Sequence, residues 1–232
     1  MVEPIEAETL REKAYKAIKD SILKNELLPD QVFSINSLAR DLGISQTPVR
    51  EAVSRLSADG VIDYEPHKRL RVAKITEEDV GQVYQVRRLL EPCAAGLAAT
   101  SISQDSRLNG YLQAVKKKAE GVCRRTSDAI QHEEYLEIDL RLNEILMEAV
   151  GNTLLREVLL FVGDRSLRIR TFAEATMKAL PSRIIHLVTE EHLTIIQAIL
   201  DGNPEEAREK VLQHLTNAEH RTVQAIRNRL NP

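Results

Sequence analysis

The chain has 232 residues, a formal net charge of −3 and only two cysteines, Cys93 and Cys123, which form no CxxC pair. This composition excludes a disulfide scaffold, and it excludes a chain whose overall charge attracts nucleic acid. The sequence shows no signal peptide and no apolar run of about 18 residues, so we expect a cytoplasmic protein without a membrane partner. The length is sufficient for two domains, each with its own core.

A first helix is predicted over residues 9–24. Thr9 and Glu12 have the spacing of a capping box at its start, because Glu12 lies three residues after a threonine. Apolar side chains recur on one face of this helix. They are Tyr15, Ile18 and Ile22.

Residues 38–56 predict two short helices joined by a tight turn. Gly43 suits the left-handed conformation that ends a helix, and Pro48 fits the first turn of the next one. We expect the Ser45 hydroxyl to cap this second helix by accepting the Thr47 N–H. Its inward face is apolar and comprises Val49, Ala52, Val53 and Leu56.

The outward face of the second helix is polar, with Gln46, Arg50 and Ser54 at intervals of four residues. A helix with an exposed Gln and Arg edge suits insertion into the major groove of DNA. The alternative is an ordinary helical hairpin with a solvated polar face. The candidate DNA contacts of the two helices are Asn36, Arg40, Ser45, Gln46, Thr47, Arg50 and Ser54.

Two strands are predicted next, over residues 61–64 and 70–73, with a basic hairpin tip between them. Three helices followed by such a ribbon describe a winged helix-turn-helix domain, which we assign to residues 1–74. The basic groups of the wing are expected to contact phosphate or the minor groove. They are His67, Lys68, Arg69 and Arg71.

Residues 75–232 are predicted to form an all-α bundle, so the fold class is mainly α. Helical periodicity continues to the end of the chain, and the Gly-Asn pairs at 151–152 and 202–203 interrupt it. The expected helices cover residues 76–100, 104–123, 128–150, 152–174, 181–201 and 204–229.

Several polar residues fall on apolar helix faces of this bundle. Asp139 and Asn143 lie one turn apart, and His192 shares a face with three isoleucines. The turn at 202–204 makes an antiparallel hairpin that brings His192 level with His214. A divalent cation would satisfy these groups, whereas the alternative is that each histidine is a core residue bonded to a neighbour.

At this point the chain resembles a known family. The strings LGIS at 42–45 and TPVREA at 47–52, within residues 10–74, are similar to the DNA-binding domain of GntR-type bacterial transcription regulators. Residues 76–225 resemble the FCD ligand-binding domain of the FadR subfamily. The strings that carry this second resemblance include VRRLLEP at 86–92, GN at 151–152 and EH at 191–192.

The resemblance implies a ligand-responsive regulator of organic-acid or carbohydrate catabolism that binds a palindromic operator as a homodimer. Metal-binding members use an Asp, a His four residues later, and two later His residues. Asp139, His192 and His214 match this set, whereas Asn143 stands in the second position. We therefore expect a divalent metal ion, with zinc first. Nickel, manganese or magnesium are alternatives because an amide oxygen is a harder ligand than imidazole.

The resemblance also implies that a small organic acid effector binds the metal through its carboxylate. Arginines on the helical faces are expected to hold the far end of the acid, and the alternative for each is a surface salt bridge. They are Arg87, Arg165 and Arg168, of which the last two continue an apolar stripe from Leu154 to Phe172.

Three other functions stay open. The first is a regulator of the same family that binds an acyl ligand without metal. The second is a metal-dependent hydrolase, although the sequence has neither an HExxH nor a GxSxG motif. The third is a helical interaction module without affinity for DNA.

Overall fold

The computed structural model describes residues 9–64, 69–125, 132–175 and 182–230. By contacts, the chain divides into two compact units between Thr76 and Glu77. The N-terminal unit contains α1 (Leu10–Leu23), β1 (Val32–Phe33), α2 (Ile35–Leu42), α3 (Gln46–Ala58), β2 (Ile62–Asp63) and β3 (Leu70–Val72). The C-terminal unit contains α4 (Glu77–Ile102), α5 (Ser106–Cys123), α6 (His132–Ala149), α7 (Thr153–Ala175), α8 (Ser182–Leu200) and α9 (Pro204–Leu230).

Helix α1 begins with the predicted capping box. The Thr9 side chain accepts the Glu12 N–H, and the Glu12 carboxylate accepts the Thr9 N–H at 3.0 Å. The Tyr15 hydroxyl donates to Asp59 at 2.7 Å, which ties α1 to the end of α3. These contacts hold the supporting helix against the helix that carries the polar edge.

The turn between α2 and α3 has the predicted conformation at Gly43, whose φ is +66°. All four apolar residues of the inward face of α3 are completely buried. The prediction for Ser45 was wrong in one respect. Ser45 occupies the N-cap position, but its hydroxyl makes no capping hydrogen bond. Ser45 has the extended backbone of an N-cap residue and is exposed, so its hydroxyl can bond to water in place of the Thr47 N–H.

The wing contains one more strand than predicted. In the described residues the sheet has three antiparallel strands in the order β1-β3-β2, with Val32 opposite Arg71 and Ile62 opposite Val72. Strand β1 has only two residues, which are too few to show the alternation that identifies a strand in a sequence. The tip at residues 65–68 lies outside the described residues.

The helices of the C-terminal unit begin and end within a few residues of the predicted bounds, and the mainly α fold class is confirmed. Helix α4 packs along α9. Buried small residues let the two helices approach closely, since a side chain at Gly96 would meet Arg208. No helix in the described ranges has the length and apolarity needed to cross a membrane.

Helix α7 buries only the end of the stripe that the sequence favoured, at Phe172. The first part of the predicted inward stripe, Leu154, Val158 and Phe161, is exposed. Another row faces the interior, and it comprises Leu159, Val162, Ser166, Ile169 and Ala173. Both rows have helical spacing and apolar residues, so only packing against α4 and α9 distinguishes them.

Candidate functional site

The first candidate site is the exposed edge of α3. Gln46, Arg50 and Ser54 are all exposed, and they lie opposite the buried row of the same helix. Ser45 and Thr47 are exposed at the start of the helix. An arginine and a glutamine on one accessible helix edge can make bidentate hydrogen bonds to bases in the major groove.

The remaining predicted DNA contacts differ in their surroundings. Asn36 and Arg40 are exposed on α2, and Arg69 is exposed before β3. Arg71 forms an ion pair with Asp30, so a phosphate contact at this position has to compete with that pair. His67 and Lys68 lie outside the described residues. The roles of all these residues in DNA binding remain predictions.

The second candidate site is a cavity of about 260 Å³ in the helical unit. Its walls come from α4, α6, α7, α8 and α9. The structure brings the four predicted metal ligands to this cavity although they come from three helices. They are Asp139, Asn143, His192 and His214.

Asp139 and His192 form the buried centre of the cavity wall. His192 Nε2 lies 3.7 Å from Asp139 Oδ1, which is close to the ~3.4 Å between two ligand atoms of a tetrahedral zinc ion. The other ring nitrogen, Nδ1, is buried without a hydrogen-bond partner among the described residues. Burial, followed by the charge of His214, lowers the pKa of His192 to about 3, so the ring is neutral and able to bind a metal at pH 7.

Burial is the largest single influence on the pKa of Asp139 and would raise it, but the charge and hydrogen bond of Arg170, together with the two histidines, outweigh burial and lower that pKa to about 2. Asp139 is therefore a carboxylate at all ordinary pH values. Arg170 Nη2 donates to Asp139 Oδ2 at 2.8 Å. One carboxylate thus faces an imidazole through one oxygen and a guanidinium through the other.

His214 is oriented by a carboxylate that the sequence analysis missed. Its Nδ1 lies 2.7 Å from Glu191 Oε2, and Glu191 accepts two further bonds of 2.9 Å from Arg221. A carboxylate on one ring nitrogen is the arrangement that prepares the other nitrogen to bind a metal. The His214 ring centroid lies 4.9 Å from that of His192. The signal for Glu191 in the sequence was its position beside His192 in the EH string.

Asn143 is the least engaged of the four predicted ligands. It is exposed, and its Nδ2 donates to the Asp139 carbonyl at 2.9 Å, which leaves only the amide oxygen to bind a metal. Among the described residues, no three His, Cys, Asp or Glu side chains lie close enough together to hold a metal ion as they stand. The donor types fit a divalent cation, but the side chains have to move closer together to hold one.

The predicted effector arginines do not all reach the cavity. Arg87 lines it, is buried, and pairs with Glu91 at 2.6 Å, while its Nη1 has no hydrogen-bond partner in the described part of the chain. Arg165 is exposed and lies over the Phe161 ring at 4.9 Å, and Arg168 is half-buried. Neither of these two lines the cavity. Arg165 lies on the exposed part of the α7 stripe, whereas Arg168 lies one turn before the buried Phe172.

A second cavity, of about 170 Å³, shares a wall with the first. Arg87, Asp139, Arg170 and His214 line both. The sequence analysis missed Arg170, although it lies one turn from the buried Ser166 and Ala173 and so could have been placed on the inward face. The two cavities together can take an anion with an apolar part, because cationic groups and aliphatic side chains line them.

Comparison with known proteins gives the family. Residues 10–72 match the bacterial regulatory proteins of the gntR family, and residues 82–217 match the FCD domain. LutR of Bacillus subtilis, an HTH-type transcriptional regulator, is 30% identical over 225 residues, covering 85% of this chain and 94% of LutR. A probable D-xylose utilization operon transcriptional repressor of Paenarthrobacter nicotinovorans is 29% identical, covering 77% of this chain and 73% of its own.

Solved structures agree on the fold. E. coli McbR/YncC superimposes with a TM-score of 0.73 at 18% identity, over 93% of this chain and 98% of its own. The Zn²⁺-bound FCD domain of TM0439 has a TM-score of 0.52 at 21% identity, over 66% of this chain and 98% of its own. The two family matches follow each other along the chain in the same order as its two units. This chain therefore belongs to the GntR family of bacterial regulatory proteins and has an FCD effector-binding domain, and it is a DNA-binding transcription regulator, not an enzyme.

Proposed function

We propose that this regulator reads a palindromic operator as a homodimer and responds to a small organic acid that binds beside a divalent metal in the FCD cavity. The observation that carries the proposal is the convergence of Asp139, His192 and His214 on one partly apolar cavity. The relative named for D-xylose utilization supports genes of organic-acid or carbohydrate catabolism as the targets. Because a bacterial regulator binds its operator on the chromosome, we infer that the protein acts in the cytoplasm.

Asp139, His192 and His214 are the residues that would hold the metal. Asn143 can add an amide oxygen. When bound, the metal supplies a Lewis-acidic position for a carboxylate. Two imidazoles favour zinc, and an added amide oxygen improves the fit for nickel, manganese or magnesium.

The acid would be held at its other end by the cationic wall. Arg87 supports this role because its buried Nη1 has no described partner, and a buried N–H of a guanidinium is costly to leave unbonded. Arg170 lies in the same shared wall. An acyl-ligand regulator without metal remains the second candidate. These two arginines favour it, because they can bind a carboxylate directly.

The homodimer is supported by exposed apolar residues on two neighbouring helices. Leu89 on α4 is 71% exposed, and Leu154 and Phe161 on α7 are 68% and 53% exposed. Helices α4 and α7 pack against each other. Clusters of exposed apolar residues are typical of interfaces, and one winged domain reads too few base pairs for genomic specificity.

Metal binding is tested by elemental analysis of fresh protein and by melting of stripped protein with zinc, nickel, manganese or magnesium. A cation that binds only the folded state stabilises it, by about 2.7 kcal/mol at 100 times Kd. We expect the wild type to gain melting temperature, and His192→Ala, His214→Ala and Asp139→Ala to gain none. His220→Ala is the matched control, since His220 is exposed on α9, contacts Gln224 and lines neither cavity.

Asn143→His should bind zinc more tightly, because imidazole replaces an amide oxygen. A stripped wild type that melts at the same temperature with all four metals would contradict the metal site. The effector would then bind Arg87 and Arg170 without metal.

A further inference from the structure

The contact between Arg170 and Asp139 joins two charged groups inside the helical unit. The Arg170 side chain is 19% exposed and that of Asp139 only 8%. Arg170 occupies Oδ2 of the carboxylate at 2.8 Å, while His192 Nε2 lies 3.7 Å from Oδ1. The same carboxylate is the only acidic group among the four predicted metal ligands.

A carboxylate buried to this degree needs a cation, because an unpaired charge in the interior is strongly destabilising. Arg170 supplies that cation when no metal is present. A divalent ion beside Asp139 would neutralise the same carboxylate and repel the guanidinium, since two positive charges a few ångströms apart interact unfavourably in a medium of low dielectric constant. Arg170 and a metal therefore compete for one partner.

We propose that Arg170 is an internal counter-cation that competes with the divalent metal for Asp139 and is released from the carboxylate when the metal binds. The proposal rests on the metal site inferred above. It assigns to Arg170 a role in setting metal affinity that neither the sequence pattern nor the fold requires.

After it leaves Asp139, the Arg170 guanidinium can bind a ligand in the cavity. Arg170 lines both cavities, and Arg87, with its unpartnered Nη1, lines the same shared wall. An organic carboxylate in the cavity can accept hydrogen bonds from Arg170 once metal has taken its place beside Asp139. Metal binding thus prepares the cationic wall for the acid, so the two ligands bind with positive coupling.

The test is calorimetric titration of zinc alone into the stripped full-length protein. We expect R170Q to bind zinc more tightly than the wild type, because zinc no longer has to displace a guanidinium from Asp139. The expected gain is roughly 10- to 100-fold, which is the size, but not the direction, of the change seen when a group that supports a metal ligand is removed. R165Q is the matched control, because Arg165 lies on the same helix, is exposed and lines neither cavity. It should bind zinc like the wild type.

Melting temperature separates competition from a purely structural ion pair. Without metal, R170Q should melt below the wild type because Asp139 has lost its cation, and with saturating zinc it should gain more than the wild type does. A structural ion pair predicts the loss without the larger gain. If R170Q folds only with zinc, R170K supplies the affinity. The shorter lysine side chain holds Asp139 less well than arginine does. R170K should therefore bind zinc more tightly than the wild type and R165Q, but with less than the full gain expected for R170Q.

The outcomes distinguish the inference from the metal site on which it rests. Zinc binding by the wild type with unchanged affinity in R170Q and R170K would overturn the inference and leave the metal site in place. The absence of zinc binding in both the wild type and R170Q would overturn the metal site itself, and the inference with it.

Discussion

At the scale of single residues, we expect the exposed edge of α3 to recognise the base sequence of the operator. Arg50 and Gln46 are one turn apart, and both are exposed while the opposite side of the helix is fully buried. Their side chains can move without disturbing the core. Substitutions at these positions should therefore change DNA binding without changing stability.

Arg50→Ala should abolish specific operator binding and leave folding intact. Loss of a bidentate base or phosphate contact costs about 1–3 kcal/mol per half-site, and a dimer loses it twice. Fluorescence anisotropy with an operator selected from genomic DNA, and with a scrambled duplex, measures the effect. Lys13→Ala is the control, as an exposed cation on α1 of the same unit. Equal affinity of Arg50→Ala and wild type for the operator would show that α3 is not the reading helix.

Gln46→Arg should move the base preference at one position of each half-site from adenine to guanine. Glutamine makes its bidentate contact with adenine, and arginine with guanine. Selection from randomised duplexes with both proteins compares the two motifs directly. If the motifs are the same, Gln46 contacts only phosphate or water.

At the scale of elements, the turn between α2 and α3 depends on one glycine. Gly43 has a φ of +66°, and no other group lies within 4 Å of where its Cβ would be. A substitution there is therefore opposed by backbone conformation alone. The position of α3 relative to α2 follows from this single left-handed residue.

Gly43→Ala should lower the free energy of unfolding of the N-terminal unit by about 1 kcal/mol, the usual cost of a left-handed residue with a Cβ. Gly81→Ala is the matched control, since Gly81 lies inside α4 with equally open surroundings. It should be neutral or stabilising, because alanine is the better helix former by up to about 1 kcal/mol. Thermal and urea unfolding of both variants gives the comparison, and equal effects would contradict the role of the turn.

Apolar periodicity was sufficient to predict the long helices. The helices of the C-terminal unit each contain at least 18 residues, and their bounds followed closely from apolar spacing and from the Gly-Asn turns. Strand β1 could not be found in this way, because a two-residue strand is created by its pairing with β3. The buried face of the first part of α7 was assigned wrongly for a related reason. Two rows on that helix are apolar, and packing against α4 and α9 determines which of them is buried.

At the scale of the whole molecule, the exposed apolar residues of α4 and α7 bear on assembly. Leu89→Glu and Phe161→Glu should each convert a homodimer into a monomer, because a charge buried in an apolar interface lacks a partner. Sedimentation velocity measures the change in mass. Operator affinity should fall along with dimerisation, since each monomer reads one half-site.

Leu212→Glu is the control for these variants. Leu212 is exposed on α9 and lies on neither of the two helices, so its replacement should leave the mass unchanged. A wild type that sediments as a monomer, or a dimer that survives both substitutions, would exclude α4 and α7 as the interface.

By itself, the sequence determined the order of the helices, the mainly α class, the helix-turn-helix edge and five of the side chains that line the FCD cavity, namely Arg87, Asp139, Asn143, His192 and His214. These follow from local rules: capping, helical spacing and the permissive backbone of Gly43. The tertiary structure decided which charges meet. It paired Asp139 with Arg170, His214 with Glu191 and Glu191 with Arg221, and it turned Arg165 away from the cavity. Such pairs join different helices, and their distances depend on how those helices pack, which no local pattern along the chain encodes.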